Sequence, residues 1–211
     1  MRLPRVYPIL DTGTCAARGL AVTPVAAAFL EGGAGILQLR HKQHWSRAMF
    51  DEAREIARLC REAGAVFIVD DRADIAMLLE AGLHVGQDDL PPRDARRLMG
   101  PDAVIGFSSH NRQQICAAGG EPADYLAFGP VFSTASKRNP DPVTGIEGLK
   151  ECRALVDKPL VAIGGITRET ARAAWEAGAD SVAVIGDLVP AESSYAALRQ
   201  RMEEWQQLRT K

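Results

Sequence analysis

Nothing in the 211 residues resembles a membrane segment: no stretch approaches the roughly 20 uninterrupted apolar residues of a span. The first eleven residues also lack the cationic start and apolar run of a secretory leader. A basic block is missing too. The net charge is −2, so the electrostatic footprint of a nucleic-acid binder is absent, whereas a small anionic ligand stays compatible. Cys15, Cys60, Cys116 and Cys152 form no Cys-x-x-Cys pair and have no histidine at ligand spacing. That excludes a tetrahedral zinc site and reads as reduced structural thiols. Aromatic residues make up only 6% of the chain, against 19 glycines. This balance argues for many turns and small packed strands over a sandwich built on aromatic cores. With 46% hydrophobic and 25% charged residues, the chain is expected to be globular, and the default compartment is the cytoplasm.

What is present is an alternation. Short runs rich in Val and Ile predict strands at Val6–Leu10, Gly35–Arg40, Val66–Val69, Gly82–Val85, Val104–Ser108, Tyr125–Phe128, Leu160–Ile163 and Ser181–Ile185. Between and after them, helical periodicity covers Val22–Glu31, Ser46–Ala63, Ala73–Ala81, Arg93–Met99, Arg112–Ala118, Ile146–Val156, Arg168–Ala177 and Ser194–Leu208. Gly33, Gly64, Gly82 and Gly178 stand after a helix and before a strand, where a left-handed helix stop costs glycine little. Eight βα units without a topological reversal favour closure into one α/β domain over residues 1–211, a lean (β/α)8 TIM barrel. In such a barrel the chemistry sits at the carboxyl ends of the strands and in the loops that follow them.

Those ends carry the candidates. Period two places Gln38, Arg40 and Lys42 on one face of the second strand. An amide there would cost roughly 1–3 kcal/mol if left unpaired, so Gln38 needs a polar neighbour or a ligand. Asp70-Asp71 and Asp88-Asp89 follow the third and fourth strands. Each pair reads either as helix N-caps or, taken together, as hard oxygens for Mg²⁺. Ser108 and His110 close the fifth strand, with His110 a candidate for ligand contact or proton transfer. The long segment from Pro130 to Thr144 holds Thr134, Ser136, Lys137 and Arg138, which suit phosphate oxygens, the alternative being a solvated loop. Gly164-Gly165 after strand seven and Ile185-Gly186 after strand eight stand where barrels commonly hold a phosphate. His84 reads as a packed core histidine, and His41 and His44 as surface or rim residues.

The motifs Gln38-Leu39-Arg40-x-Lys42, Asp70-Asp71-Arg72-x-Asp74-Ile75-Ala76, Gly82-Leu83-His84-Val85-Gly86-Gln87-x-Asp89, Gly129-Pro130-Val131-Phe132-x-Thr134-x-Ser136-Lys137 and Ala162-Ile163-Gly164-Gly165-Ile166 stand in order along nearly the whole chain. Together they resemble the thiamine-phosphate synthase family. The resemblance implies a Mg²⁺-assisted transferase of thiamine biosynthesis that joins a pyrimidine diphosphate to a thiazole phosphate and releases diphosphate. It assigns Gln38, Arg40 and Lys42 to the pyrimidine diphosphate and Asp71 and Asp89 to the metal. Ser108 and Lys137 go to the diphosphate; Thr134, Ser136 and the backbone at Gly165, Ile185 and Gly186 go to the thiazole phosphate. Its partners are then small molecules, with no nucleic acid or membrane, and a homo-oligomer is an open option. The family usually has asparagine at the position of Asp70, threonine at Ser136 and serine at Gly186. An amide at position 70 can donate to the diphosphate or the pyrimidine, whereas a carboxylate only accepts. Two other readings fit the neighbourhood: a thiazole tautomerase with His110 as proton shuttle, and a non-catalytic sensor of thiazole or thiamine phosphate.

Overall fold

The computed structural model describes residues 2–134, 141–191 and 193–208. Its strands are β1 (Val6–Asp11), β2 (Ile36–Arg40), β3 (Val66–Asp70), β4 (Gly82–Val85), β5 (Ile105–Ser109), β6 (Tyr125–Phe128), β7 (Leu160–Ala162) and β8 (Ser181–Val184). They pair in parallel, each with the next, and β8 returns to β1 to close the ring. The helices are α1 (Thr12–Ala17), α2 (Val22–Glu31), α3 (Arg47–Glu62), α4 (Ala73–Leu78), α5 (Pro92–Met99), α6 (Arg112–Gly119), α7 (Gly145–Arg153), α8 (Ala171–Glu176) and α9 (Tyr195–Leu208). Among the described residues no helix is long and apolar enough to cross a membrane.

Side-chain alternation splits the interior into two cores. Outward residues such as Leu37, Leu39, Val69, Leu83 and Leu126 pack under the helices, while Tyr7, Ile9, Ile36, Ile68, Tyr125, Ala127, Val161 and Ala183 fill the inside of the ring. The helices dock by the same logic at a period of 3.6. In α3 the buried residues Ala53, Ile56, Ala57 and Cys60 fall on one stripe, and Ser46 caps its start by accepting from the Met49 amide at 3.2 Å. Burial pushes the Cys15, Cys60 and Cys152 thiols up to about 11, 12 and 11, as befits packed thiols, while Cys116 is exposed.

Besides α7, which ends at Arg153 instead of Val156, the structure departs from the sequence expectation in three places with a local cause. The short helix α1 was not expected; Asp11, the last residue of β1, starts it by accepting from the Thr14 amide at 2.7 Å. Helix α8 begins three residues late because Thr167 and Thr170 close a turn of their own, the Thr167 amide donating to the Thr170 hydroxyl at 2.9 Å. Gly33, Gly64 and Gly178 do take positive φ, but α4 stops at Leu78, with Glu80 as the left-handed residue (φ 53°) and Gly82 already in β4.

The last helix ties the ring to its upper loops. Trp205 of α9 is fully buried, and its indole N–H donates to Asp187 Oδ2 at 2.8 Å in the loop after β8. Trp205→Ala removes a large packed side chain and that bond, so we expect a loss of about 3–5 kcal/mol in urea unfolding. An unchanged midpoint would contradict this packing.

Candidate active site

The carboxyl ends of the strands surround a cavity of about 840 Å³, within the usual range for small-molecule sites. Gln38, Arg40, Lys42, Asp70, Asp71, Asp89, Ser108, Thr134, Gly165, Ile185 and Gly186 all line it. Ser136 and Lys137 lie outside the described residues.

Its best-defined part is an alternation of charge. Arg40 Nη1 donates to Asp11 Oδ2 at 2.5 Å, and its Nε lies 3.8 Å from Asp70 Oδ2. Lys42 Nζ stands 2.7 Å from the same Asp70 oxygen and is also ion-paired with Asp71. Asp11 is fixed in turn by the start of α1, its Oδ1 accepting from the Thr14 amide at 2.7 Å and hydroxyl at 2.8 Å. Asp70 is buried, and desolvation holds its carboxyl above the ordinary range even though Lys42 and Arg40 pull the other way. For Lys42, burial works against the ammonium; Asp70 and Asp71 outweigh it and leave the pKa raised.

Neither Asp71 nor Asp89 caps a helix. The residue before α4 is Arg72 and that before α5 is Pro91, and neither makes a side-chain capping hydrogen bond. Asp71 takes a left-handed backbone (φ 63°), with its amide donating to the His84 carbonyl at 2.8 Å. Asp89 Oδ2 accepts from the Gly86 amide at 2.7 Å. Burial raises the Asp89 pKa, and the neighbouring Asp71 raises it further. Among the described residues no group of three or more His, Cys, Asp and Glu side chains converges as a metal site. Two adjacent, uncapped carboxylates are nevertheless what Mg²⁺ takes when water and a phosphate complete its shell.

On the opposite side the loops after β6 and β7 are zipped together: the Val131 amide donates to the Ile163 carbonyl at 2.8 Å, and that of Phe132 to the Gly164 carbonyl at 2.9 Å. Gly164 and Gly165 both take positive φ, and a Cβ on Gly164 would meet Pro130 at 2.5 Å. Only glycine fits this approach. The third contributor, the loop after β8, holds Gly186 over a single 3-10 turn, Gly186–Leu188. Besides the Trp205 indole, Asp187 in that turn meets Arg168 Nε at 3.4 Å and Arg201 Nη1 at 3.6 Å.

The floor holds residues the sequence reading missed. Tyr7 and Tyr125, both fully buried, point inward from β1 and β6, and their hydroxyls lie 2.7 Å apart. Gln38 Nε2 donates to the Tyr7 hydroxyl at 3.1 Å, which supplies the polar neighbour its position demands. His84 is buried as expected but is no inert core residue. It lines the cavity with Nδ1 at 3.0 Å from the Tyr125 hydroxyl and Nε2 at 2.8 Å from Ser108 Oγ. Asp11 was missed as well; strict alternation along β1 would have flagged Tyr7, Ile9 and Asp11 together. His110 also reaches the cavity, with Nδ1 donating to the Gly129 carbonyl at 2.7 Å and lying 3.6 Å from Asp141 Oδ2.

A closed parallel barrel whose mouth gathers paired cations, paired carboxylates and a glycine loop defines an enzyme scaffold for small phosphorylated molecules. The chain belongs to the thiamine monophosphate synthase family, whose model matches residues 6–188. It is 46% identical over 192 residues to the thiamine-phosphate synthase of Koribacter versatilis, covering 90% of each chain. With that of Laribacter hongkongensis it shares 43% over 197 residues and 92% of each. Among solved structures, thiamine phosphate pyrophosphorylase from Pyrococcus furiosus superposes with a TM-score of 0.84 at 33% identity, over 97% of this chain and 94% of that one.

The raised Asp89 pKa means that the folded state binds a proton more tightly than the unfolded chain, so ionised Asp89 costs stability once the pH exceeds the ordinary carboxylate range. Asp89→Asn keeps an acceptor for Gly86 and removes the charge beside Asp71. We expect it to raise stability by up to about 1 kcal/mol at neutral pH. That gain should shrink as pH falls to the carboxylate range and below. Thermal unfolding of both proteins from pH 3 to 8 checks this; a gap that widens on acidification would contradict it.

Proposed function

We propose that the chain is a thiamine-phosphate synthase that couples 4-amino-2-methyl-5-(diphosphomethyl)pyrimidine to thiazole phosphate with release of diphosphate. The observation that carries this reading is the convergence, over one cavity, of Arg40 and Lys42 with the uncapped carboxylates Asp71 and Asp89. A protein with a net charge of −2 thereby offers a local site for a metal-bound diphosphate. Family membership and the similarity to thiamine-phosphate synthases over nine-tenths of the chain support it.

In this reading Gln38, Arg40 and Lys42 face the pyrimidine diphosphate, and Ser108 and Lys137 contact the leaving diphosphate. Asp71 and Asp89 would hold Mg²⁺, which when bound neutralises charge on the diphosphate and polarises its bond to carbon. Thr134, Ser136 and the backbone at Gly165, Ile185 and Gly186 hold the thiazole phosphate. The small apolar side chains Ile9, Ala127, Val161 and Ala183 leave room for the two rings. Departure of diphosphate leaves a pyrimidinylmethyl cation stabilised by its own amino group, and the thiazole nitrogen attacks that carbon. No side-chain nucleophile is needed. The protein's contribution is positioning and charge: Arg40, Lys42 and Lys137 stabilise the charge that builds on the leaving group, and the barrel mouth keeps the thiazole in line.

Asp70 has a defined part here. Its carboxylate lies between Arg40 and Lys42 and competes with the diphosphate for both cations. Asp70→Asn is expected to lower the KM for the pyrimidine diphosphate by about 3–10-fold, the effect of roughly 1 kcal/mol of released cation. Steady-state kinetics decide it, and a higher KM would show that the carboxylate serves the pyrimidine instead.

The deciding assay is diphosphate release from the two purified substrates, with Mg²⁺ and with a chelator. Wild type should turn over only with the metal, and Asp71→Ala and Lys137→Ala should lose at least about 100-fold in kcat while unfolding near the wild-type midpoint. Near-normal kinetics in either variant would sink the assignment. Binding of both substrates without release would favour the sensor.

A further inference from the structure

Beneath the mouth of the barrel, one hydrogen-bonded row of side chains runs from Gln38 to Ser108 by way of Tyr7, Tyr125 and His84. Its links are Gln38 to Tyr7 at 3.1 Å, Tyr7 to Tyr125 at 2.7 Å, Tyr125 to His84 Nδ1 at 3.0 Å, and His84 Nε2 to Ser108 Oγ at 2.8 Å. The five residues come from five strands, β2, β1, β6, β4 and β5. Burial holds both phenols above their ordinary pKa, so each keeps the single proton it has to give. The fold also makes room for the row. A Cβ at Gly106, the second residue of β5, would collide with the Tyr125 hydroxyl and ring, and would meet His84 Nδ1 at 2.5 Å.

Such a row has two polarities, because each hydroxyl donates once and neutral imidazole donates from one nitrogen only. In one, protons point from Gln38 toward Ser108, and the Ser108 hydrogen is left over for a ligand. In the other, Ser108 donates inward to His84 and shows a ligand only lone pairs. The first polarity matches the amide orientation of Gln38, whose Nε2 faces Tyr7.

We propose that the row is polarised from Gln38 to Ser108, fixing His84 as the tautomer protonated on Nε2 and committing the Ser108 hydroxyl proton to the ligand. Tyr7, Tyr125 and His84 are then positioning residues that act through Ser108. The inference rests on the functional reading in one respect: a diphosphate has lone pairs to offer, so a serine that faces it must donate.

The tautomer can be read without any substrate. The chain has four histidines, so the side-chain ¹⁵N resonances of His84 are assigned by their loss in His84→Gln. The expected spectrum of the free protein shows Nε2 protonated and Nδ1 bare. Tyr125→Phe removes the donor to Nδ1; it should shift that signature and lower kcat for diphosphate release about tenfold, the equivalent of one net hydrogen bond, with KM within twofold of wild type. A purely structural role would move the unfolding midpoint and leave the tautomer and kcat of the folded fraction unchanged. Should Tyr125→Phe not fold, Tyr7→Phe breaks the row one link earlier and is expected to change both readouts in the same direction. A wild-type His84 protonated on Nδ1, or a folded row variant with unchanged kcat, overturns the proposal. If wild type releases no diphosphate, the functional reading fails by itself, and the ¹⁵N spectrum still decides the polarity.

Discussion

A closed ring of parallel strands gives every strand residue two directions, outward beneath the helices or inward toward the axis, and the site follows from that restriction. The outward set is aliphatic and continuous with the helix faces. The inward set low in the ring is aliphatic apart from Tyr7 and Tyr125, and it becomes polar toward the carboxyl ends, where Ile36 is followed by Gln38 and Arg40, and Ile68 by Asp70. Closure carries these inward groups to within hydrogen-bonding reach across neighbouring strands, so a cation on β2 can meet carboxylates from both β1 and β3.

Charge at the mouth is therefore compensated before any ligand arrives. Arg40 and Lys42 are each engaged with carboxylates, and Asp70 serves both. Bringing an anion to such a site exchanges one set of ion pairs for another, which keeps both cations oriented at little cost in side-chain entropy. The surplus of carboxylates also penalises an anion that comes without a counter-cation. A metal-bound diphosphate meets both conditions, whereas a bare one meets only the first.

Much of this architecture could be read from the residues. Strand and helix order followed from periodicity, and the common face of Gln38, Arg40 and Lys42 followed from period two; the cavity lining shows that this face points inward. The two meanings of Asp71 and Asp89 could not be separated in sequence, because a helix cap and a metal ligand call for the same residue at the same place; in the structure the caps of α4 and α5 fall to Arg72 and Pro91, which removes the first meaning. Tyr7 and Tyr125 escaped for a different reason. A search confined to the carboxyl ends of strands passes over residues deeper in the ring, yet Tyr7, the second residue of β1, and Tyr125, the first of β6, are long enough to reach the cavity floor from there. Helix α1 was hidden because Thr-Gly-Thr is a poor helix start unless Asp11 caps it, and that carboxylate also serves a cation from another strand.

Helix α9 bears on the mouth from outside the ring. β8 completes the ring against β1, and α9 then packs on α2 and holds Asp187 through Trp205. The loop after β8 forms one wall of the cavity, and its Asp187 is gripped from beneath by Trp205 and Arg201 of α9 and from the side by Arg168. Packing between α2 and α9, on the outside of the ring, therefore has a lever on the mouth: loosening it would release a cavity wall without touching a residue that lines the charged half of the site.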